Sequence, residues 1–251
     1  MYYVEVLYAR SRLFWFSAVA LVVAAIFTYF VTFPPPHAHV VNNGQDVPFD
    51  GVVAFAGFCA MIMASMLAAT MNRDASHLPY MWTKPITRAR IALMYIAVDI
   101  VTIVVAFAII LTICTLVLAI PPRNHVMFDE YSAAMVARSL AIPLMLFGVV
   151  EVATSWTPMR LAAAAGLVWP IGFAVEFLAE INLPFPLGQL FRALNVVNPM
   201  AYLPEIHVMH HVNISPSTAL PFDFMSQTVM AFCITAIALV VAAYNWKRMQ
   251  A

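Results

Sequence analysis

The sequence is poor in charged residues and in glycine, and these two shortages exclude several classes of protein. Only 10% of the 251 residues are charged and 64% are hydrophobic, whereas about half of a soluble domain is apolar. Seven glycines leave little scope for a phosphate-cradling loop, and no G-x-x-x-x-G-K-[ST] motif occurs. The chain is therefore predicted to be an integral membrane protein that is not itself an ATP-hydrolysing enzyme.

Cysteine is also scarce. Cys59, Cys114 and Cys233 each lie in an apolar run, where a thiol behaves as a small hydrophobic side chain. Neither a disulfide framework nor a cysteine-based metal site is predicted. The apolar segments leave no room for a separate soluble domain, so residues 1–251 are predicted to form one transmembrane domain.

Six apolar segments reach the length of about 20 residues that a helix needs to cross a bilayer. We therefore predict an all-α fold with six transmembrane helices. The third segment is longer than one crossing requires, so we expect it to be tilted or to begin in the cytosol. The six segments are residues 13–33, 51–71, 91–120, 133–156, 161–181 and 224–246.

Basic residues in the loops predict the orientation, because cytoplasmic loops of membrane proteins are enriched in Lys and Arg. With the N-terminus inside, nine such residues fall on the inner side and three on the outer side. Both termini are therefore predicted to be cytoplasmic, in a protein of the cell (plasma or inner) membrane. The inner set is Arg10, Arg12, Arg73, Lys84, Arg88, Arg90, Arg160, Lys247 and Arg248, and the outer set is Arg123, Arg138 and Arg192.

Residues 182–223 form a long outer segment that is rich in proline and contains apolar patches such as LGQLFRAL and PMAYLPEIHVM. These patches are too short to cross a bilayer. Short helices that lie in the interface or re-enter the membrane suit this pattern better than an open loop does.

Four carboxylates fall inside the predicted spans, where each charged group costs roughly 2.5–3.5 kcal/mol on insertion scales. Asp99 and Glu151 lie at similar depths near the inner side, so they are candidates to face a common polar cavity. Glu176 and Glu180 share one helix face near the outer side. These groups suit a substrate path or a proton relay, with Asp99, Glu151 and Glu176 as its members. Alternatively, they reach interfacial water or a neighbouring arginine such as Arg138 or Arg192.

Histidines are concentrated on the predicted outer side. His207 and His211 lie one turn apart if that stretch is helical, with His210 between them, and such spacing suits two metal ligands. Met200 and Met209 would add soft ligands for Cu(I). Spacing supplies no third fixed ligand, so we predict no metal site and retain the three histidines as candidates only.

Residues 72–91, NRDASHLPYMWTKPITRARI, carry a resemblance to a known family. The order of Arg73–Asp74, then SHLPYMW, then Pro85-Ile86-Thr87-Arg88 resembles the loop between spans two and three in ABC-2-type transporter permeases. The long outer segment between spans five and six, and the short basic tail YNWKRMQA, are also similar to that family.

The resemblance implies a permease subunit of an ABC exporter, in which a short cytosolic coupling helix docks on a separate ATPase. It implies that ATP and Mg²⁺ bind to that partner, with no cofactor in this chain. It also implies a homodimer or a heterodimer with a second permease chain, surrounded by lipid and without a nucleic-acid partner. A proton-coupled secondary transporter and a metal-handling membrane protein remain alternatives. The residues implied to contact the ATPase are Leu78, Tyr80, Met81, Trp82, Lys84, Pro85 and Arg88.

Overall fold

The structure is a computed structural model of the chain. It describes residues 10–11, 13–19, 21–23, 45–71, 88–118, 124–127, 132–156, 161–181, 183–203, 205–209, 211–215, 220 and 223–248.

Helices account for most of the described chain. Five of the six predicted apolar segments are helices whose ends lie within three residues of the predicted ends. Of the first segment, the structure describes a shorter apolar helix, Leu13–Val23. We number the others α1 (Phe49–Met71), α2 (Arg88–Leu118), α3 (Ser132–Trp156), α4 (Leu161–Glu180), α5 (Leu187–Val196) and α6 (Phe224–Arg248).

Four of these helices are long and apolar enough to cross a membrane, which indicates a multi-pass membrane protein. The qualifying stretches lie in α1, α2, α3 and α6, at Gly51–Ala68, Leu93–Leu116, Ser132–Thr154 and Phe224–Asn245. Helix α2 has 31 residues and is about 46 Å long, more than the roughly 30 Å of a hydrocarbon core. Its apolar stretch starts five residues after the helix begins.

Two short strand pairs join segments outside the long helices. β1 (Gln45–Pro48) pairs in parallel with β2 (Asn124–Met127). β1 directly precedes α1 and β2 follows α2, so the pairing places these two helix ends at the same end of the bundle. β3 (Glu205–Met209) and β4 (His211–Ser215) form an antiparallel hairpin within the long segment between α4 and α6.

The four spanning helices form a ring in which α3 packs on α1 and α6, and α2 packs on the same two helices. Helices α2 and α3 also contact each other directly. Small residues allow the close approach: a row of fully buried alanines follows one face of α1, and such rows are typical of membrane helix contacts. The row is Ala56, Ala60, Ala64 and Ala68.

Helices α4 and α5 lie outside this ring. Helix α4 packs on α1 and α3, and α5 packs on α4. A 3₁₀ turn, Pro199–Tyr202, follows α5 and contacts α3, α4, α5 and α6. The chain between α4 and α6 thus returns to the helical core before it forms the β3–β4 hairpin.

Candidate functional site

The structure brings Asp99 and Glu151 together inside the bundle. Asp99 lies on α2 and is 8% exposed, while Glu151 lies on α3 and is 2% exposed. The two carboxyl groups are close enough to interact electrostatically. Helices α2 and α3 also contact each other directly, so both buried carboxyl groups lie on a pair of neighbouring helices.

Each carboxyl group has a buried threonine on the same helix, three residues further along. Thr102 Oγ1 donates a hydrogen bond to the carbonyl of Val98 at 2.7 Å. Thr154 Oγ1 donates to the carbonyl of Glu151 at 3.2 Å. Since both hydroxyl protons are committed to the backbone, these oxygens can offer only lone pairs to a further group.

The third member of the predicted translocation path lies elsewhere. Glu176 is half-buried on α4, outside the ring of four helices. One turn before it, Gly172 packs against the 3₁₀ turn. The structure therefore does not bring Glu176 to the Asp99–Glu151 pair. Leu78, Tyr80, Met81, Trp82, Lys84 and Pro85 lie outside the described residues, and of Arg88 only the backbone, at the start of α2, is described.

A buried arginine forms a second polar centre, toward the other end of α3. Arg138 is 2% exposed and lies within the apolar stretch of α3. Its Nε and Nη2 atoms donate to the carbonyl of Tyr202 at 3.3 and 3.1 Å. Its guanidinium carbon lies 4.8 Å from the centre of the Phe224 ring, a cation–π distance. The Nη1 atom has no hydrogen-bond partner among the described residues.

This position corrects two expectations. The sequence predicts Arg138 to be an outer loop cation, but it lies inside α3 and is buried in the protein interior. The inner-to-outer ratio of loop cations becomes nine to two, so the predicted orientation does not depend on it. Arg138 was also offered as a partner for carboxylates, yet it makes no ion pair within the described part of the chain.

The 3₁₀ turn is held by a compact set of polar contacts. Asn198 caps it by accepting a hydrogen bond from the Met200 amide at 3.2 Å, and Pro199 fills the first position, where proline is favoured. The Asn198 Nδ2 atom donates to the carbonyl of Gly172 at 2.8 Å, which joins the turn to α4. The Tyr202 hydroxyl donates to the carbonyl of Val196 at 2.8 Å.

The Tyr202 hydroxyl remains a hydrogen-bond donor at all ordinary pH values. Burial raises the pKa of this phenol to about 12, and the nearby Arg138 cation opposes part of that rise. The neutral phenol keeps its proton for the Val196 carbonyl, while the backbone carbonyl of Tyr202 accepts from Arg138. One residue thereby links α3 to the end of α5.

The helical premise of the histidine hypothesis is wrong. His207 lies in β3 and His211 in β4, and these strands form an antiparallel hairpin. The two residues are therefore not one helical turn apart. His210 lies outside the described residues.

The sequence patterns did not predict that Arg138 and Asn198 hold the 3₁₀ turn in place. The Asn-Pro pair at 198–199 was a usable signal, because asparagine followed by proline is typical of the start of a helical turn. Arg138 lies only six residues into α3, so its sequence position resembles that of a snorkelling interfacial arginine. Its burial depends on the 3₁₀ turn, which comes more than sixty residues later.

Comparisons with protein-family models, with curated proteins and with solved structures found no match to this chain.

Proposed function

We propose that this chain is the membrane-spanning subunit of an ABC-2-type transporter, an exporter energised by a separate cytosolic ATPase. The chain contributes the transport path, and the partner binds ATP and Mg²⁺. The resemblance at residues 72–91 is the observation that carries the proposal.

The helices around that segment support this proposal. Helix α1 ends at Met71 and α2 begins at Arg88, so residues 72–87 connect two adjacent, mutually packed helices at one end of the bundle. The Pro-Ile-Thr-Arg element leads directly into the start of α2. A protein docked on this connection would push on two of the four ring helices at once.

The resemblance to ABC-2-type permeases also extends the proposal to the membrane topology and the assembly. The chain crosses the membrane six times with both termini in the cytosol, and residues 182–223 lie outside. The buried 3₁₀ turn suits a segment that re-enters the membrane, because its Met200, Ala201 and Tyr202 are fully buried among helices. Two such chains, identical or merely similar, enclose the substrate path and carry two ATPase subunits below.

Retention of the ATPase by the purified permease tests this proposal. The permease is affinity-purified from its native membranes, and the amount of co-purifying ATPase that carries a Walker A motif is measured. The double variant Tyr80→Ala/Trp82→Ala removes two aromatic side chains from the proposed coupling helix. If they are interface anchors, we expect the ATPase to bind about 30-fold more weakly, which corresponds to about 2 kcal/mol.

Phe185→Ala is the matched control, since Phe185 is an exposed aromatic residue that precedes α5, far along the chain from the coupling segment. It should retain the ATPase like the wild type, and both variants should elute as monodisperse protein. Wild-type retention in the Tyr80/Trp82 variant would mean that these aromatics serve the membrane and not a partner.

A second candidate function, a proton-driven secondary transporter, is favoured by one observation, the buried Asp99–Glu151 pair. Carboxyl groups inside membrane helices commonly mark proton or ion pathways. Reconstituted protein separates the two candidates. Transport driven by a proton gradient without any ATPase favours the carrier, and transport that requires ATP and the partner favours the permease.

A further inference from the structure

The Asp99–Glu151 pair includes one buried carboxylate oxygen without a described hydrogen-bond partner. The Glu151 Oε1 atom is fully buried and has no hydrogen-bond partner in the described part of the chain. A buried acceptor without a partner requires an explanation, and a bound ion or proton is one of the few available. The hydroxyls of Thr102 and Thr154 donate to the backbone, so they add acceptor oxygens to the same two helix faces.

The helices packed around the pair supply little positive charge. Over Gly51–Ala68, α1 has no titratable side chain except Cys59. Helix α3 offers Arg138, but thirteen residues separate it from Glu151, which is about 20 Å along a helix. Apolar core residues such as Val150 and Ile96 complete the surroundings.

Helices α2 and α6 carry neutral tyrosines and have cations only at their ends. Tyr95 lies one turn before Asp99, and Tyr244 lies toward the end of α6. Phenols can donate hydrogen bonds but cannot neutralise a carboxylate. The basic residues of these two helices are Arg88 and the exposed Arg90 at the start of α2, and Lys247 and Arg248 at the end of α6.

Asp99 and Glu151 are both buried, lie on helices that contact each other and interact electrostatically. Two such carboxylates cannot both remain ionised without a nearby positive charge, because burial and mutual repulsion both oppose the charged form. We propose that Asp99 and Glu151 form a buried site that binds one small monovalent cation, a proton or an alkali metal ion, between α2 and α3. Oxygen ligands of this kind suit hard cations. The site follows from the geometry of the pair and does not depend on which transporter class is correct.

Infrared spectroscopy and thermal unfolding of the full-length protein in lipid nanodiscs test the site without any ATPase or transport assay. The variants are Asp99→Asn and Glu151→Gln, which keep shape and remove charge. Glu180→Gln is the control, because Glu180 is an exposed carboxylate on α4. Spectra are recorded at neutral pH in H₂O and D₂O, and unfolding is followed in NaCl, KCl or choline chloride at equal ionic strength.

If the cation is a proton, the wild type shows a carboxylic-acid C=O band that shifts in D₂O. That band is lost in Asp99→Asn or Glu151→Gln and retained in Glu180→Gln. If the cation is an alkali metal ion, the acid band is absent, and NaCl or KCl raises the unfolding temperature above that in choline chloride. This rise disappears in both site variants.

The proposal is overturned if the wild type shows neither signal, or if a signal persists unchanged in both site variants. Should the variants fail to fold, carbodiimide labelling of the wild type replaces them, since this reagent modifies buried protonated carboxyl groups. Modification mapped to Asp99 or Glu151 supports the proton form. Absence of modification together with absence of salt-specific stabilisation rejects the site.

Discussion

Replacing Gly57 with alanine tests the contact between α1 and α3. A Cβ atom added at position 57 would lie 2.9 Å from the carbonyl oxygen of Ser139 and 3.0 Å from its Cβ. The carbonyl belongs to the backbone of α3, so no side-chain rotation can relieve the clash. Pro143, four residues later, lacks the N–H that would normally bond to this carbonyl. Because a backbone carbonyl cannot rotate out of the way, α1 and α3 must move apart to accommodate the added Cβ atom.

The expected change in the free energy of unfolding of Gly57→Ala combines two opposing effects. Overpacking a close contact costs about 1–3 kcal/mol. Alanine is favoured over glycine inside a helix by up to about 1 kcal/mol. Gly166→Ala isolates the second term, because Gly166 also lies inside a helix and an added Cβ there would meet nothing within 4 Å. The difference between the two variants is thus the clash itself, about 1–3 kcal/mol, or roughly 2–12 °C in unfolding temperature.

Thiol labelling during heating provides the assay, because Cys114 is buried and Cys59 is half-buried in the folded protein. Cys233 is exposed and is replaced by serine in every variant to remove its background. We expect Gly57→Ala to expose thiols at a lower temperature than the wild type, and Gly166→Ala at the same or a higher temperature. Equal unfolding temperatures for the two variants would refute the close packing of α1 on α3.

Three further predictions address the 3₁₀ turn and the topology. Gly172→Ala should destabilise the protein by about 1–2 kcal/mol relative to Gly166→Ala, because its Cβ would lie 2.6 Å from a Met200 side-chain carbon and 2.9 Å from the capping oxygen of Asn198; equal stability would contradict the contact. Arg138→Met removes both hydrogen bonds to the 3₁₀ turn, so amide exchange over residues 200–202 should accelerate about tenfold, as loss of about 1.4 kcal/mol implies. Removing a buried charge is itself favourable, so the free energy of unfolding of the whole protein should fall by less than about 1.4 kcal/mol. Unchanged amide exchange would show that Arg138 does not hold the turn. Cysteines introduced at Asn43 and Ser217 should react with an impermeant reagent added outside intact cells; labelling only after the membrane is opened would reverse the orientation.

Much of the helical layout follows from local sequence. Apolar runs of about 20 residues predicted five helices with ends within three residues, because the thickness of the bilayer core sets the length of an apolar spanning helix. The same reasoning identified Asp99 and Glu151, since a carboxylate within such a run is costly wherever the helix packs. Six crossings were predicted, while four helices in the described residues meet the length and composition for a span.

Which groups meet was decided only by the tertiary structure. Asp99 and Glu151 are 52 residues apart, and they interact because α2 and α3, which both pack on α1 and α6, also contact each other. Arg138 is buried because the carbonyl of Tyr202 reaches it from a turn far along the chain. Hydropathy reports how much a side chain avoids water, but it does not specify whether lipid or another helix covers it. The order of helices around the ring makes that choice, through close contacts between small residues that no single apolar run encodes.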